Sequence, residues 1–342
     1  MLYNIYSHIL YMNLQEIAIT VLLLLGVGYI YEQYRTRMDY EDKRHDMNLI
    51  QKFLIGDQND HMTIENLGNI KKPILWIHIE YSYNSRNWCS FGSRSSHELN
   101  MPYIYLTLQS IVSKCGGDFH ICILDDYSFQ KILPDYDIEL DRVGDPVRTH
   151  LRNVALMKVI HKYGGILLEN SFICMDSLKP LQEAIDETGK PIVGEFVNRA
   201  NSNSLEVFAP SIKLIGCRRE CPVIAGFIDY LEGINKRDYT NAQRFEGSLE
   251  NWLTDNINRG NMQYILGEMI GTRLNRRPII IDDLLIQTDL RDRLEGITLM
   301  VYIDRDELLA RTRYNWFLRL SPEQVLNSRT TLAELLLTSI NR

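Results

Sequence analysis

The sequence predicts an α/β protein, with a largely parallel sheet flanked by helices and a membrane helix in front of it. Three observations predict it. From Lys71 onward, short apolar strands alternate with segments of helical apolar spacing. The segment with the strongest helical periodicity stops at Gly164-Gly165, and an apolar run follows at once. Well before this, Ile17–Tyr31 (IAITVLLLLGVGYIY) carries no charge at all. The chain has 342 residues, 45% hydrophobic and 24% charged, which suits one large or two ordinary domains and excludes a disordered or collagen-like chain.

The uncharged run is short for a bilayer. As a helix it would reach roughly 22 Å, against about 30 Å of hydrocarbon. Extension back to Ile9 gives a full span that takes in Asn13, Gln15 and Glu16, with Tyr29, Tyr31 and Tyr34 at interfacial positions. A membrane partner through residues 9–31 is therefore expected, the alternative being a packed N-terminal helix. No Lys or Arg precedes the run, while Arg35, Arg37, Lys43 and Arg44 follow it. The positive-inside rule then expects a single-pass protein with its body in the cytoplasm. The expected divisions are an anchor over 1–34, a stalk and linker over 35–70, the main α/β domain over 71–235, and an α/β extension packed on it over 236–342. Within the stalk, Glu32–Lys52 reads as a solvated helix and Gly56–Asn69 as a polar linker.

Pro73–Ile79 is a strand and Pro102–Lys114 a helix ending at Gly116-Gly117; Phe119–Leu124 is a strand ending on Asp125-Asp126. Val147–Tyr163 is a helix and Gly165–Leu168 the next strand. In parallel sheets ligands bind at the carboxyl ends of strands, where Asp125, Asp126 and Glu169 fall. Further strands are expected at Ile192–Phe196, Ser211–Ile215, Ile279–Ile281 and Leu299–Ile303. A helix starts at Pro222, a capping box opens at Ser321, and a last helix covers Thr331–Ile340.

Composition narrows the function classes. Acidic residues outnumber basic ones 44 to 37, for a net charge of -7, so no nucleic-acid partner is expected. Six cysteines are too sparse for a disulfide scaffold and are expected to be reduced thiols. Phosphate-loop, dinucleotide-binding, zinc-protease and serine-elbow motifs are all absent.

Arg152-Asn-Val-Ala-Leu156 through Tyr163-Gly-Gly-Ile-Leu-Leu-Glu-Asn-Ser171, read with the Trp76/His78 strand and Asp125-Asp126, resembles a family of sugar transferases. The family is the capsular-polysaccharide-synthesis type of GT-A glycosyltransferase, which carries Asp-x-Asp. The resemblance covers roughly Lys71–Leu181. Lys72–Tyr81, Phe245–Ser248, Ile270–Thr272 and Trp316–Gln324 also look like the form carried by large double-stranded DNA viruses.

The resemblance implies a GT-A-like (Rossmann-like) fold, a nucleotide-sugar donor, and Mn or Mg bridging the donor's diphosphate. It implies catalytic roles for Asp125, Asp126 and Glu169, with Glu169 a weak metal ligand. Donor contacts would come from Trp76, His78, Asn153, Lys158, Tyr163, Gly164 and Gly165, the glycines admitting the backbone close to the nucleotide. Counting back from Gly164, however, the family's helix Asp falls on Asn153 and its Arg on Leu156, and the second metal position falls on Ser171. Two functions follow as expectations. One is sugar transfer to a glycan, lipid or protein acceptor. The other is an inactive transferase fold serving as a membrane-bound scaffold or virion component, with virion or membrane proteins as partners.

Overall fold

A computed structural model describes residues 14–55, 72–81, 101–198, 207–235, 242–285, 294 and 298–340. It divides into two units, 1–51 and 52–342. One helix, α1 (Leu14–Phe53), runs through the first, so the expected anchor and the charged stretch after it form one continuous helix. Side chains from Ile19 to Tyr31 are exposed on every face. The expected membrane helix is not found: among the described residues, no helix is long and apolar enough to cross a membrane. The uncharged run is too short by itself, and Glu16 and Glu32 bracket it. Residues 9–13 of the expected span, and the linker 56–69, lie outside the described residues.

The second unit is built on a six-stranded mixed sheet. Its strands are β1 (Ile74–His78), β2 (His120–Leu124), β3 (Gly165–Glu169), β5 (Ile192–Val197), β6 (Phe208–Cys217) and β7 (Gln263–Ile265). They lie in the order β2-β1-β3-β6-β5-β7. β1 runs parallel to both β2 and β3, β5 runs parallel to β7, and β6 runs antiparallel to its neighbours β3 and β5. β1, β2 and β3 are near-continuous buried apolar runs, as strands covered on both faces must be. A short strand, β4 (Phe172–Cys174), leaves the sheet after β3 and pairs antiparallel with β10 (Met300–Tyr302). This is a mixed α/β architecture with a largely parallel central sheet and flanking helices, and it fits the GT-A-like expectation.

The helices take their places by their apolar faces. α2 (Tyr103–Cys115) buries Tyr103, Leu106, Leu108 and Ile111, and packs on β4 and on α12 (Thr331–Ile340). α4 (Val147–Tyr163) buries Val154, Ala155, Met157, Val159 and Ile160, and packs on α6 (Pro222–Asn235). It ends where Gly164, at φ 71°, donates its N–H to Ile160 O. α3 (Ser128–Ile132), α5 (Lys179–Thr188) and α7 (Ala242–Asn258) complete the flanks near the sheet, and the one-turn helix α8 (Gly267–Ile270) packs on β5.

Ile279–Ile281 is not the expected strand. Arg277–Pro278 forms a two-residue strand, β9, paired with β8 (Arg273–Leu274), and Ile281 opens the helix α9 (Ile281–Leu285). The apolar run was too short to distinguish strand from helix start, and Asp282-Asp283 suits a helix's first turn. The capping box at Ser321 is present in full and starts α11 (Pro322–Leu326). The described cysteines are free thiols.

Candidate functional site

The carboxyl ends of β1, β2 and β3 open at one edge. Register sets His78 of β1 beside Leu124 of β2 and Glu169 of β3, so Asp125 and Asp126 follow at the same edge. β6 pairs Leu214 with Leu168, which brings Lys213 next to Glu169. β10 then delivers Tyr302, and the short helix α10 (Arg305–Ala310) starts with Arg305. The ends of β1 and β3, with β5, β6, α4, α7 and the start of α10, line a cavity of about 260 Å³. Its helical wall combines one stripe of α4, namely Thr149, Arg152, Asn153 and Leu156, at the spacing that shares a helix face, with Leu249, Glu250 and Leu253 of α7.

Charge on this edge is organised as a chain of contacts. Asp126 receives Nε and Nη2 of Arg152 at 2.8 and 2.7 Å, and His78 Nε2 lies 2.9 Å from the same carboxylate. Arg152 Nη1 donates to Glu80. Lys213 Nζ donates to Tyr302 Oη at 2.9 Å and to Asp306 at 2.7 Å, and Tyr302 in turn donates to Glu169 at 3.0 Å. Burial alone would raise the Asp126 carboxyl, but its hydrogen bonds from His78 and Arg152 outweigh that and hold it well below the usual carboxylate range. Glu169 goes the other way: burial raises it, and the nearby Lys213 and Arg305 only partly offset the rise.

The expected site residues separate into two groups. His78, Asn153 and Glu169 line the cavity, and Asp126 is tied to two of its lining side chains. The others lie elsewhere. Asp125 accepts from Ser128 N at 2.8 Å and from Ser128 Oγ at 2.6 Å, holding the start of α3. Lys158 pairs with Glu232 on α6 at 2.6 Å. Trp76 is fully buried, with its indole N–H on Gly164 O at 2.8 Å, and Tyr163 donates to Ile132 O at 2.9 Å. Both glycines stand close to backbone: a Cβ on Gly164 would lie 2.9 Å from Arg219 N. A Cβ on Gly165 would lie 2.2 Å from Ile74 O, because β3 passes that close to β1.

Arg152, Glu80, Lys213, Tyr302 and Arg305 were not among the expected site residues. Arg152 was detectable, since it shares the Thr149/Asn153/Leu156 stripe of a helix already recognised. Lys213, Tyr302 and Arg305 come from distant segments, and only the folded sheet brings them to Glu169.

The position implied for a divalent cation does not suit one. Ser171 is fully buried and faces the core, its hydroxyl shared between Tyr103 Oη and Ile303 O, both at 2.8 Å. Among the described residues, no group of three His, Cys, Asp or Glu side chains could hold a metal ion. Around Glu169 stand Lys213, Arg305, the Tyr302 hydroxyl and one further carboxylate, Asp306, which is unlike the oxygen-rich shell a hard cation requires.

No family model matches the chain, and no curated protein matches it. Among solved structures, one similar chain is the PaToxG glycosyltransferase, at 12% identity and a TM-score of 0.33, covering 64% of this chain and 80% of that one. Another was solved with sucrose and is assigned as a glucose-1-phosphate thymidylyltransferase from Bacillus anthracis. It matches at 12% identity and a TM-score of 0.30, over 57% of this chain and 86% of that one. These neighbours are glycosyltransferase- and nucleotidyltransferase-type folds.

The two carboxylates give opposite pH dependences. Asp126 is depressed, so its stabilising contribution is complete above the unfolded value of about 3.9 and is lost as pH falls through the lower folded value. Glu169 is raised, so its burial is tolerated best below the ordinary value of about 4.3 and costs more as pH rises through its folded value. In urea titrations between pH 4.5 and 7.5, Glu169→Gln is expected to gain stability relative to the native chain as pH rises. A difference that stays flat with pH would refute this.

Proposed function

We propose that the chain is a glycosyltransferase-like protein that binds a nucleotide sugar at the carboxyl edge of its sheet, without a divalent cation. One observation carries this reading: Lys213 and Arg305 stand beside Glu169 on the cavity wall, at the position where the resemblance would place a metal. Cationic side chains can neutralise a diphosphate as a metal does, as fixed donors that require no acidic ligand set. A cavity of about 260 Å³ lies near the lower end of small-ligand sites, so it suits part of a donor with the rest extending outward. Transfer to a glycan, lipid or protein acceptor would follow from this placement.

A second reading has its own observation. Asp125 and Asp126, the carboxylates expected to be catalytic, are both engaged, one with Ser128 and the other with Arg152 and His78. A carboxylate held well below its usual range is a poor proton acceptor at neutral pH. On this reading the chain binds a donor without transferring it and acts as a scaffold.

Thermal shift of the full chain with UDP- and GDP-sugars, each in EDTA and in Mn²⁺, tests both readings. Binding in EDTA is expected, and one site filled at 100 times its Kd stabilises by about 2.7 kcal/mol. No shift with any donor would remove the nucleotide-sugar reading. A shift without release of free UDP or GDP on long incubation with candidate acceptors would favour the scaffold.

A further inference from the structure

Two arginines line the cavity, and the fold treats them differently. Arg152 makes three hydrogen bonds to two carboxylates, so its charge and its fork geometry are both satisfied. Arg305 is surrounded by the same kind of groups but held less well. Its Nη1 stands 3.6 Å from Glu80 and its Nε 4.0 Å from Glu169, both beyond hydrogen-bond reach. The Nε is buried and has no hydrogen-bond partner. The side chain is 23% exposed, so its outer nitrogens reach the cavity while the Nε has given up water without receiving a hydrogen bond in return. Lys213 lies on the same wall, and its partner Asp306 is 53% exposed, which makes that ion pair weak and easily rearranged.

We propose that Arg305, assisted by Lys213, is a metal-independent anchor for a phosphate or diphosphate group entering the cavity. This deepens the nucleotide-sugar reading and rests on the same cavity. A guanidinium fork matches two oxygens of a phosphate group, and bonds to an ionised acceptor are the strong ones. Glu80 would stay with Arg152 when the anion arrives, so only the 3.6 Å approach to Arg305 is lost. Lys213 keeps Tyr302 and exchanges some of its contact with Asp306 for the anion. Binding is non-covalent throughout.

The test is calorimetric titration of the full chain in EDTA with inorganic pyrophosphate, UDP, a UDP-sugar and uridine. It compares the native chain with Arg305→Gln, Arg305→Lys and the exposed control Arg277→Gln. Pyrophosphate and UDP are expected to bind the native chain and the control equally, and uridine far more weakly. Arg305→Gln should weaken both phosphate ligands at least tenfold. Arg305→Lys should weaken them less, because it keeps the charge and loses the fork. Should Arg305→Gln fail to fold, the lysine variant decides the matter, and an unchanged affinity overturns the anchor. Failure of the native chain to bind pyrophosphate also overturns it. Pyrophosphate binding without binding of any UDP-sugar supports the anchor and removes the nucleotide-sugar reading. A UDP-sugar bound equally well by Arg305→Gln preserves that reading and removes the anchor.

Discussion

Replacing Arg152 by Ala should destabilise the protein by about 3–5 kcal/mol, the range seen when one partner of a buried ion pair is removed. The geometry favours the upper part of that range. The guanidinium is 11% exposed and Asp126 12%, so water screens neither, and Asp126 takes two of the arginine's hydrogen bonds. Without it, Asp126 keeps only His78, while Glu80 is left beside Arg305 at 3.6 Å. Two carboxylates, Glu80 on the cavity wall and Asp126 behind it, would then stand under-compensated. Urea unfolding at pH 7 measures the loss. Repeating it at pH 3 adds a second check, because the depressed Asp126 should rise toward its ordinary range and the variant's deficit should shrink as the carboxylates protonate. A cost below about 1 kcal/mol, or a deficit unchanged by acid, would contradict this account of the network. Asp126→Asn in the Arg152→Ala background should recover part of the loss, since it removes the charge left unpaired.

This network also shows how far the site could be read from sequence. The helix Val147–Tyr163, its stop at Gly164, and the strand after it follow from apolar spacing and glycine conformation, both local properties. Counting back from Gly164 leads to Asn153 and Leu156. Both line the cavity but carry no charge, while Arg152, one residue away on the same stripe, carries it. A family template directs attention to fixed offsets, whereas a helix face admits several. The remaining site residues depend on topology. Tyr302 reaches Glu169 across 133 residues because β4 leaves the main sheet and pairs with β10. Lys213 reaches it because β6 runs antiparallel beside β3. Nothing within either short segment announces that partner.

The fold was legible to a similar depth. The parallel β1–β2–β3 core could be read, because strands buried on both faces are continuous apolar runs. α7 was missed because its apolar positions are spread among polar ones, and β7 because three residues carry too little pattern. The membrane expectation took its strength from bulk apolarity. In the structure the same residues are one part of a 40-residue helix whose remainder is charged.

Gly165→Ala should be among the most damaging single changes in the chain, and it separates two accounts of the paired glycines. In the account drawn from the resemblance, the glycines let a nucleotide approach the backbone, so the variant would fold normally and lose only ligand binding. The structure instead places Ile74 O 2.2 Å from the new Cβ, with the Ile74 carbonyl carbon at 3.0 Å. Both are backbone atoms of β1, the central partner of β2 and β3, and no side-chain rotation relieves the clash. The residue also sits at φ 100°, where an L side chain is strained by about 1–3 kcal/mol. Overpacking adds about 1–3 kcal/mol. The sum, about 2–6 kcal/mol, is a large share of the 5–15 kcal/mol that holds an ordinary domain folded. Gly117→Ala is the control: a Cβ there meets nothing within 4 Å, and its change should be small. Denaturation midpoints measured without any ligand decide between the accounts. If Gly165→Ala is as stable as the control and weak only toward UDP-sugars, the glycines serve the ligand. A collapse of stability in the ligand-free protein assigns them to the seam between β1 and β3, where Trp76 fixes the neighbouring Gly164 carbonyl from the other strand.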